Sequence, residues 1–342
     1  MTPWINNGMG FFHAPRDDKG SAGREGTSNG RKLVLECDRR TFLKTCALAG
    51  AGAEAGAIRA APLYAPAAMS IARYRSSPSQ PDGIAEEARR LTRQALDALG
   101  GMGRFVSKGD VVWIKPNIGW DRRPEQAATT NPDVVAVLVE LCYQAGARRV
   151  LVSDNPCNEA QRTFPRSGIQ QAAEKAGAQS YFLDPRKYKK MAINGRLLRE
   201  WEIYTDAVEA NKFINVPIVK HHSLCKATLG MKNLMGIIGG ARNRFHQDID
   251  RTLADLAAFI KPTLVVMDAV RVLTANGPVG GSLADVKRAD TVIAGIDQVA
   301  VDAYGATLLG RRPQEIGYIV EAANRGMGRI DFTALAPSVI QV

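Results

Sequence analysis

The sequence predicts an α/β fold: an open, mostly parallel sheet flanked by helices, in one lobe or two. Three observations predict it. Short aliphatic and β-branched runs alternate with stretches of helical periodicity. Asn, Pro and Gly stand at the joins, where helices begin and end. A chain of 342 residues with 45% hydrophobic and 23% charged content can bury a sizeable core.

Ile84, Ala88, Leu91, Ala95 and Leu99 recur at helical spacing, and Gly100-Gly101 ends that segment. Val111-Val112-Trp113-Ile114 is a short buried strand. Asn131 reads as an N-cap and Pro132 as the first turn of a helix carrying Val134, Val135, Leu138 and Leu141, which Gly146 ends. Val150-Leu151-Val152 is a second strand, residues 168–177 a helix, and Tyr181-Phe182-Leu183 a third strand. This βαβαβ order requires parallel pairing with crossover connections. Phe213 to Val216 is the next strand. A helix from about Asp250 to Ile260 leads into the strand Leu264 to Met267. Val292 to Ala294 is a strand, and helices cover Val299 to Leu309 and Pro313 to Ala323. Asn276 to Gly281 is a glycine-rich loop.

The N-terminal segment is of another kind. Residues 1–36 mix Gly, Asn and charges without periodicity and read as disordered. Asp38-Arg39-Arg40-Thr41-Phe42-Leu43-Lys44 follows, and a twin arginine before x-Phe-Leu-Lys is the signature of a twin-arginine export signal. A weakly apolar stretch, Thr45 to Ala57, and the small residues Ala65-Pro66-Ala67-Ala68 continue it, although Glu54 and Arg59 interrupt its apolar character. The expected division is therefore a disordered N-terminus plus signal over 1–68 and an α/β domain over 69–342. The expected partner is the twin-arginine export machinery, and the expected workplace is the periplasm, reached in the folded state.

Charge narrows the ligand. Lys plus Arg is 45 and Asp plus Glu is 34, a net +11. Nine of the basic and six of the acidic residues precede residue 69, so the remainder keeps an excess of about eight positive charges. Such an excess calls for an acidic partner. A periplasmic address makes that a small anionic ligand and not nucleic acid, and an aromatic content of 6% argues against stacked bases. No run reaches the roughly 18 apolar residues of a membrane helix, so no stable span is expected after signal removal.

Open α/β sheets bind ligands beyond the carboxyl ends of their strands. Here five ends carry ionisable groups: Lys115-Pro116-Asn117, Asp154-Asn155-Pro156, Lys220-His221-His222, Asp268 and Asp297. Each has a plainer alternative. Lys115 suits a solvated loop, Asp154 a turn cap, Asp297 a helix N-cap, and Asp302 a core or surface position in the following helix. His221 and His222 are adjacent, so on an extended segment only one faces the site. Polar chemistry is densest between 220 and 246, where Lys220, His222, Thr228, Lys232, Asn233, Arg244 and His246 share a segment with Gly230, Gly236, Gly239 and Gly240. Those glycines let backbone approach a ligand, and cations beside backbone amides form an anion site.

The Gly-x-Gly-x-x-Gly fingerprint is absent from the strand-to-helix turns. The phosphate loop and the Gly-x-Ser-x-Gly elbow are also missing, which sets aside standard nucleotide enzymes and serine hydrolases. A metal is the other option: His222 and His246 with one or more of Asp154, Asp268 and Asp302 would supply a His/carboxylate set, though without His-x-x-x-His or Cys-x-x-Cys spacing. Beyond the signal the cysteines are Cys142, a core residue by its apolar neighbours, and Cys157 and Cys225, which an oxidising compartment would allow to pair.

Over roughly residues 109 to 310 the chain resembles the family catalogued as domain of unknown function 362. Lys115-Pro116-Asn117, Thr130-Asn131-Pro132 and Asp154-Asn155-Pro156 carry the resemblance. So do Val216-Pro217-Ile218-Val219-Lys220-His221-His222 and Thr228-Leu229-Gly230-Met231-Lys232-Asn233-Leu234-Met235-Gly236. Asp268, Asn276-Gly277-Pro278 with Gly281, and Asp297-Gln298-Val299-Ala300-Val301-Asp302-Ala303 complete it. The resemblance implies a shared site of Lys115, Asn117, Asp154, Lys220, His222, Lys232 and Asn233. Some members of that family look fused to ferredoxin-like iron–sulfur modules. This chain lacks the clustered cysteines such a module needs, so no iron–sulfur cluster is expected.

These readings converge on an exported enzyme acting on a small carboxylate or phosphate. His222 and Asp154 would be the catalytic pair, and Lys115, Asn117, Thr130, Lys220, Lys232, Asn233 and Arg244 would bind substrate. The alternatives are a non-catalytic ligand or cofactor carrier and a metal-dependent variant.

Overall fold

The structure is a computed structural model that describes residues 67–74 and 83–342. The disordered N-terminus and twin-arginine segment expected from the sequence lie outside these residues, apart from Ala67 and Ala68.

Strand β1 (Met69–Arg73) precedes helix α1 (Ile84–Ala98), whose apolar positions Ala88, Leu91 and Ala95 are buried. Then come β2 (Val111–Pro116), α2 (Pro132–Gln144), β3 (Arg149–Val152), α3 (Ala160–Ser167), α4 (Ile169–Lys175) and β4 (Gln179–Ser180). A hairpin, β5 (Tyr188–Ala192) and β6 (Glu200–Tyr204), leads through the short α5 (Thr205–Glu209) into β7 (Lys212–Val216), β8 (Ile218–His222), β9 (Lys226–Thr228) and α6 (Gly230–Asn233). The chain ends with α7 (Ile249–Phe259), β10 (Leu264–Leu273), β11 (Val286–Gly295), α8 (Gln298–Leu308), α9 (Gly317–Asn324) and β12 (Ser338–Gln341).

The main sheet runs β12-β1-β11-β10-β7-β2-β3-β4, with β8 on β10 and β9 on β8; β5 and β6 form a separate pair. Pairing is mostly parallel, as expected. The exceptions are β11, antiparallel to both β10 and β1, and the β8–β9 pair. The sheet is covered on both faces. Val112 and Ile114 of β2 pack with α1 and α2, whereas Trp113 packs with the cluster containing α7, α8 and α9. This alternation follows from the period of two along a strand.

Three elements differ from the sequence reading. The third strand is Gln179–Ser180, not Tyr181 to Leu183. Those aromatics serve packing instead: Phe182 stacks edge-on against Phe164, and the Tyr181 hydroxyl bridges Trp113 Nε1 and Asp206. The β5–β6 hairpin is not read from the sequence, because the lysines and glutamates of Tyr188-Lys189-Lys190-Met191-Ala192 and Glu200-Trp201-Glu202-Ile203-Tyr204 break up any aliphatic run. The last helix starts at Gly317, since Pro313–Glu315 forms a separate 3-10 turn.

The α2 cap is formed as expected. Asn131 Oδ1 accepts from Asp133 N at 2.9 Å, with Pro132 in the first turn. Asn131→Ala should lower stability by about 1 kcal/mol, read from the urea midpoint at unchanged m-value.

Candidate functional site

From β2 the chain builds outward through β3 and β4, then returns to the other side of β2 to add β7 and β10. The crevice at such a reversal is where an open α/β sheet binds ligands. Lys115 lies on the same face of β2 as Trp113, at the strand's carboxyl end. There the apolar core gives way to a polar network.

Lys115 Nζ meets three acceptors: Asp154 Oδ1 at 2.7 Å, the Pro116 carbonyl at 2.8 Å and Asn233 Oδ1 at 3.1 Å. Asp154 in turn accepts from Ile118 N at 2.7 Å and Asn155 N at 2.9 Å. Burial pushes the Lys115 ammonium down and the Asp154 charge pulls it back up. Both side chains are essentially inaccessible. Gly236 lies directly over this pair: a Cβ there would collide with the Asp154 carboxylate and sit 2.5 Å from Lys115 Nζ. The glycine read as leaving room for a ligand instead leaves room for an ion pair.

Amides extend the network. Asn117 Nδ2 donates to Asn233 Oδ1 at 2.9 Å, Asn233 Nδ2 to Asn215 Oδ1 at 2.8 Å, and Asn215 Nδ2 to the Gly230 carbonyl at 2.8 Å. Pro217 separates β7 from β8, which swings over to pair with β10. This carries Lys220 inward, where its Nζ meets Asn117 Oδ1 at 3.0 Å and the Ala128 carbonyl at 2.6 Å. Lys220 has no carboxylate among these partners, and burial pushes it down to about 7. Lys232 is also lowered by burial, and among the described residues its Nζ hydrogen-bonds to the Met235 thioether alone, at 3.1 Å.

Of the adjacent histidines, His222 lines the cavity and His221 turns away to accept from Gly277 N at 3.1 Å, anchoring the glycine-rich loop. His222 Nδ1 accepts from Leu224 N at 3.1 Å, so the neutral ring carries its proton on Nε2. Burial, and next Lys232, push His222 down to about 3. The expected His222–Asp154 pair is not formed, because both carboxylate oxygens of Asp154 face Lys115 and backbone amides.

Lys115, Asn117, Asp154, Lys220, His222, Lys232, Asn233 and His246 all line one cavity of about 610 Å³, with Thr228. The Thr228 hydroxyl is buried without a hydrogen-bond partner among the described residues. Thr130 stands behind the wall, accepting from Asn117 N at 2.8 Å and donating to the Val216 carbonyl at 2.7 Å. Arg244 is exposed and off the wall; Arg242 lines it instead, donating to the Asn155 and Pro156 carbonyls. The readable signal for Arg242 was its place just after Gly239-Gly240, where Gly240 turns the chain with φ of 62°.

The remaining carboxylates serve the backbone. Asp268 accepts from Asn131 N and Val270 N, and Asp297 caps α8 through Val299 N and Ala300 N. Asp302 accepts from Gly230 N and Met231 N and so holds the start of α6, which carries Lys232 and Asn233. Asp268 and Asp302 therefore stand apart from His222 and His246, and no group of three or more His, Cys, Asp or Glu is assembled to hold a metal among the described residues. Cys142, Cys157 and Cys225 are free thiols; Cys157 lies at the cavity and Cys225 is buried. Among the described residues no helix is long and apolar enough to cross a membrane.

The fold and this edge define an α/β protein with a lysine-rich pocket at the strand-order reversal. The profile of the family described as Domain of unknown function (DUF362) matches residues 112–307, more than half of the chain, and the chain belongs to that family. It is 27% identical over 218 residues to a thylakoid-associated protein of Synechocystis sp., a match covering 61% of this chain and 66% of that one. It is also similar to the lactate racemase apoprotein from Thermoanaerobacterium thermosaccharolyticum, with a TM-score of 0.41 at 13% identity, over 69% of this chain and 55% of that one. In both cases the chain spans less than two thirds of the matched protein's length.

Proposed function

We propose that the chain is an enzyme acting on a small anionic molecule, a carboxylate or a phosphate, held in the strand-end cavity. One observation carries this reading. Among the described residues Lys232 and Arg242 line the cavity without a carboxylate partner, while its Asp154 carboxylate is already paired with Lys115. An uncompensated positive field in a partly dry pocket favours an anion. The Thr228 hydroxyl and the His222 Nε2–H add neutral donors to the same wall. In this reading His222 orients the anion and is not a base, since its neutral ring presents a proton and not a lone pair.

Titration of the purified protein with inorganic phosphate and with malonate, followed by calorimetry, tests it. Lys232→Met and Arg242→Gln should each weaken binding about tenfold or more, the value of a charge-assisted hydrogen bond. Unchanged affinity in both variants would refute the anion site.

We also propose that the protein works outside the cytoplasm after twin-arginine export. The Arg39-Arg40-Thr41-Phe42-Leu43-Lys44 run supports this. Changing both arginines to lysine should leave the unprocessed chain in the cytoplasmic fraction, whereas undiminished export would overturn it.

A further inference from the structure

The two buried lysines at the base of the cavity differ in how many acceptors they meet. Lys115 Nζ has three, one of them a carboxylate, and an ammonium has three N–H groups to match them. Lys220 Nζ has two, Asn117 Oδ1 and the Ala128 carbonyl. A neutral amine has two N–H groups and one lone pair. With both hydrogens engaged on the wall, the lone pair of Lys220 is left for the cavity that the residue lines.

We propose that Lys220 is a nucleophile that forms an imine with an anionic carbonyl compound such as a 2-oxo acid. This deepens the anion-site reading and rests on it. A desolvated lysine next to another cation is the usual way a protein makes an amine reactive toward carbonyls. The charged and titratable groups around Lys220 are Cys157, Lys232, Asp154, Lys115 and His222, and burial is the largest influence and favours the neutral amine.

In the step, the nitrogen lone pair attacks the carbonyl carbon and the C=O pair moves to oxygen. Nitrogen then gives up its two hydrogens, the oxygen leaves as water, and a C=N bond replaces C=O. No oxidant or reductant is consumed. Protonation of the imine restores one N–H for the Ala128 carbonyl. The donors His222 Nε2–H, Thr228 and Lys232 lie on the same wall for the substrate's oxygens.

The test is trapping with sodium borohydride in the presence of pyruvate, followed by peptide mass mapping of the full chain. Acetone serves as a neutral comparison. Reductive label should concentrate on Lys220, exceed that from acetone at least tenfold, and vanish in Lys220→Met. Its rate should level off near neutral pH, while labelling of surface lysines keeps rising toward pH 10. Asn117→Asp provides a second variant that keeps the side chain's shape. A carboxylate beside Nζ holds the ammonium, so trapping at pH 7 should fall at least tenfold and recover at higher pH.

Label spread over exposed lysines, or centred on Lys115 or Lys232, overturns the inference. Phosphate binding without any Lys220 adduct overturns the imine alone. Failure of phosphate and pyruvate both to bind overturns the anion reading beneath it.

Discussion

Asp154→Ala is expected to cost the fold about 3–5 kcal/mol, measured as a fall in the urea midpoint, and to abolish anion binding. The substitution leaves the Lys115 ammonium buried with two neutral acceptors and no counter-charge. It also orphans the amide of Ile118, whereas Asn155 N keeps the Gly236 carbonyl at 3.0 Å. Removing one partner of a buried pair is far worse than removing both. Lys115→Met combined with Asp154→Leu should therefore recover much of the lost stability without recovering binding. Gly236→Ala approaches the same result from outside, because its Cβ has no space above the pair. A loss below 1 kcal/mol in Asp154→Ala would mean that Lys115 is neutral in the native state, against the three acceptors it meets.

Much of this edge was legible in the sequence for a definite reason. Lys115, Asn117, Asp154 and Lys220 follow or end strands whose aliphatic runs are unmistakable, and a strand end is a fixed place in an open sheet. Asp297 before a helix was legible as a cap and is one. Asp268 and Asp302 looked like equivalent site carboxylates. What distinguishes them is which backbone amides come within reach, and the amides of Asn131, Gly230 and Met231 are brought there by tertiary packing. Arg242 and Arg244 are two positions apart on a 3-10 turn, and local sequence does not say which faces in. The β5–β6 hairpin was hidden because charged residues mask its strand propensity. The acceptor counts that separate Lys115 from Lys220 likewise depend on groups distant in sequence.

The same lysines make stability rise on the alkaline side of neutrality. Burial lowers Lys220 to about 7 in the folded protein, from its ordinary value of 10.5. Between those two values the unfolded chain binds a proton that the native protein does not. Unfolding stability therefore increases with pH across that window. From pH 7 to pH 9 the gain from this one residue is about 2 kcal/mol. Lys115 and Lys232 are lowered as well, and contribute with the same sign. The rise has a ceiling. Burial raises Cys142 to about 12 and Cys225 to about 11, from 9.0, so above pH 9 the unfolded thiols ionise while the native ones do not, which opposes the lysine contribution. Urea unfolding from pH 7 to pH 10 should show a rise that slows above pH 9. In Lys220→Met the rise from pH 7 should shrink by about 2 kcal/mol, and the variant should be the more stable protein at pH 7, because an apolar chain has no charge to desolvate. Saturating phosphate opposes the rise: an anion in the cavity favours the protonated amine and holds the native pKa closer to 10.5. A rise from pH 7 to pH 9 that is undiminished in Lys220→Met would show that Lys220 keeps its proton, and would remove the amine on which imine chemistry depends.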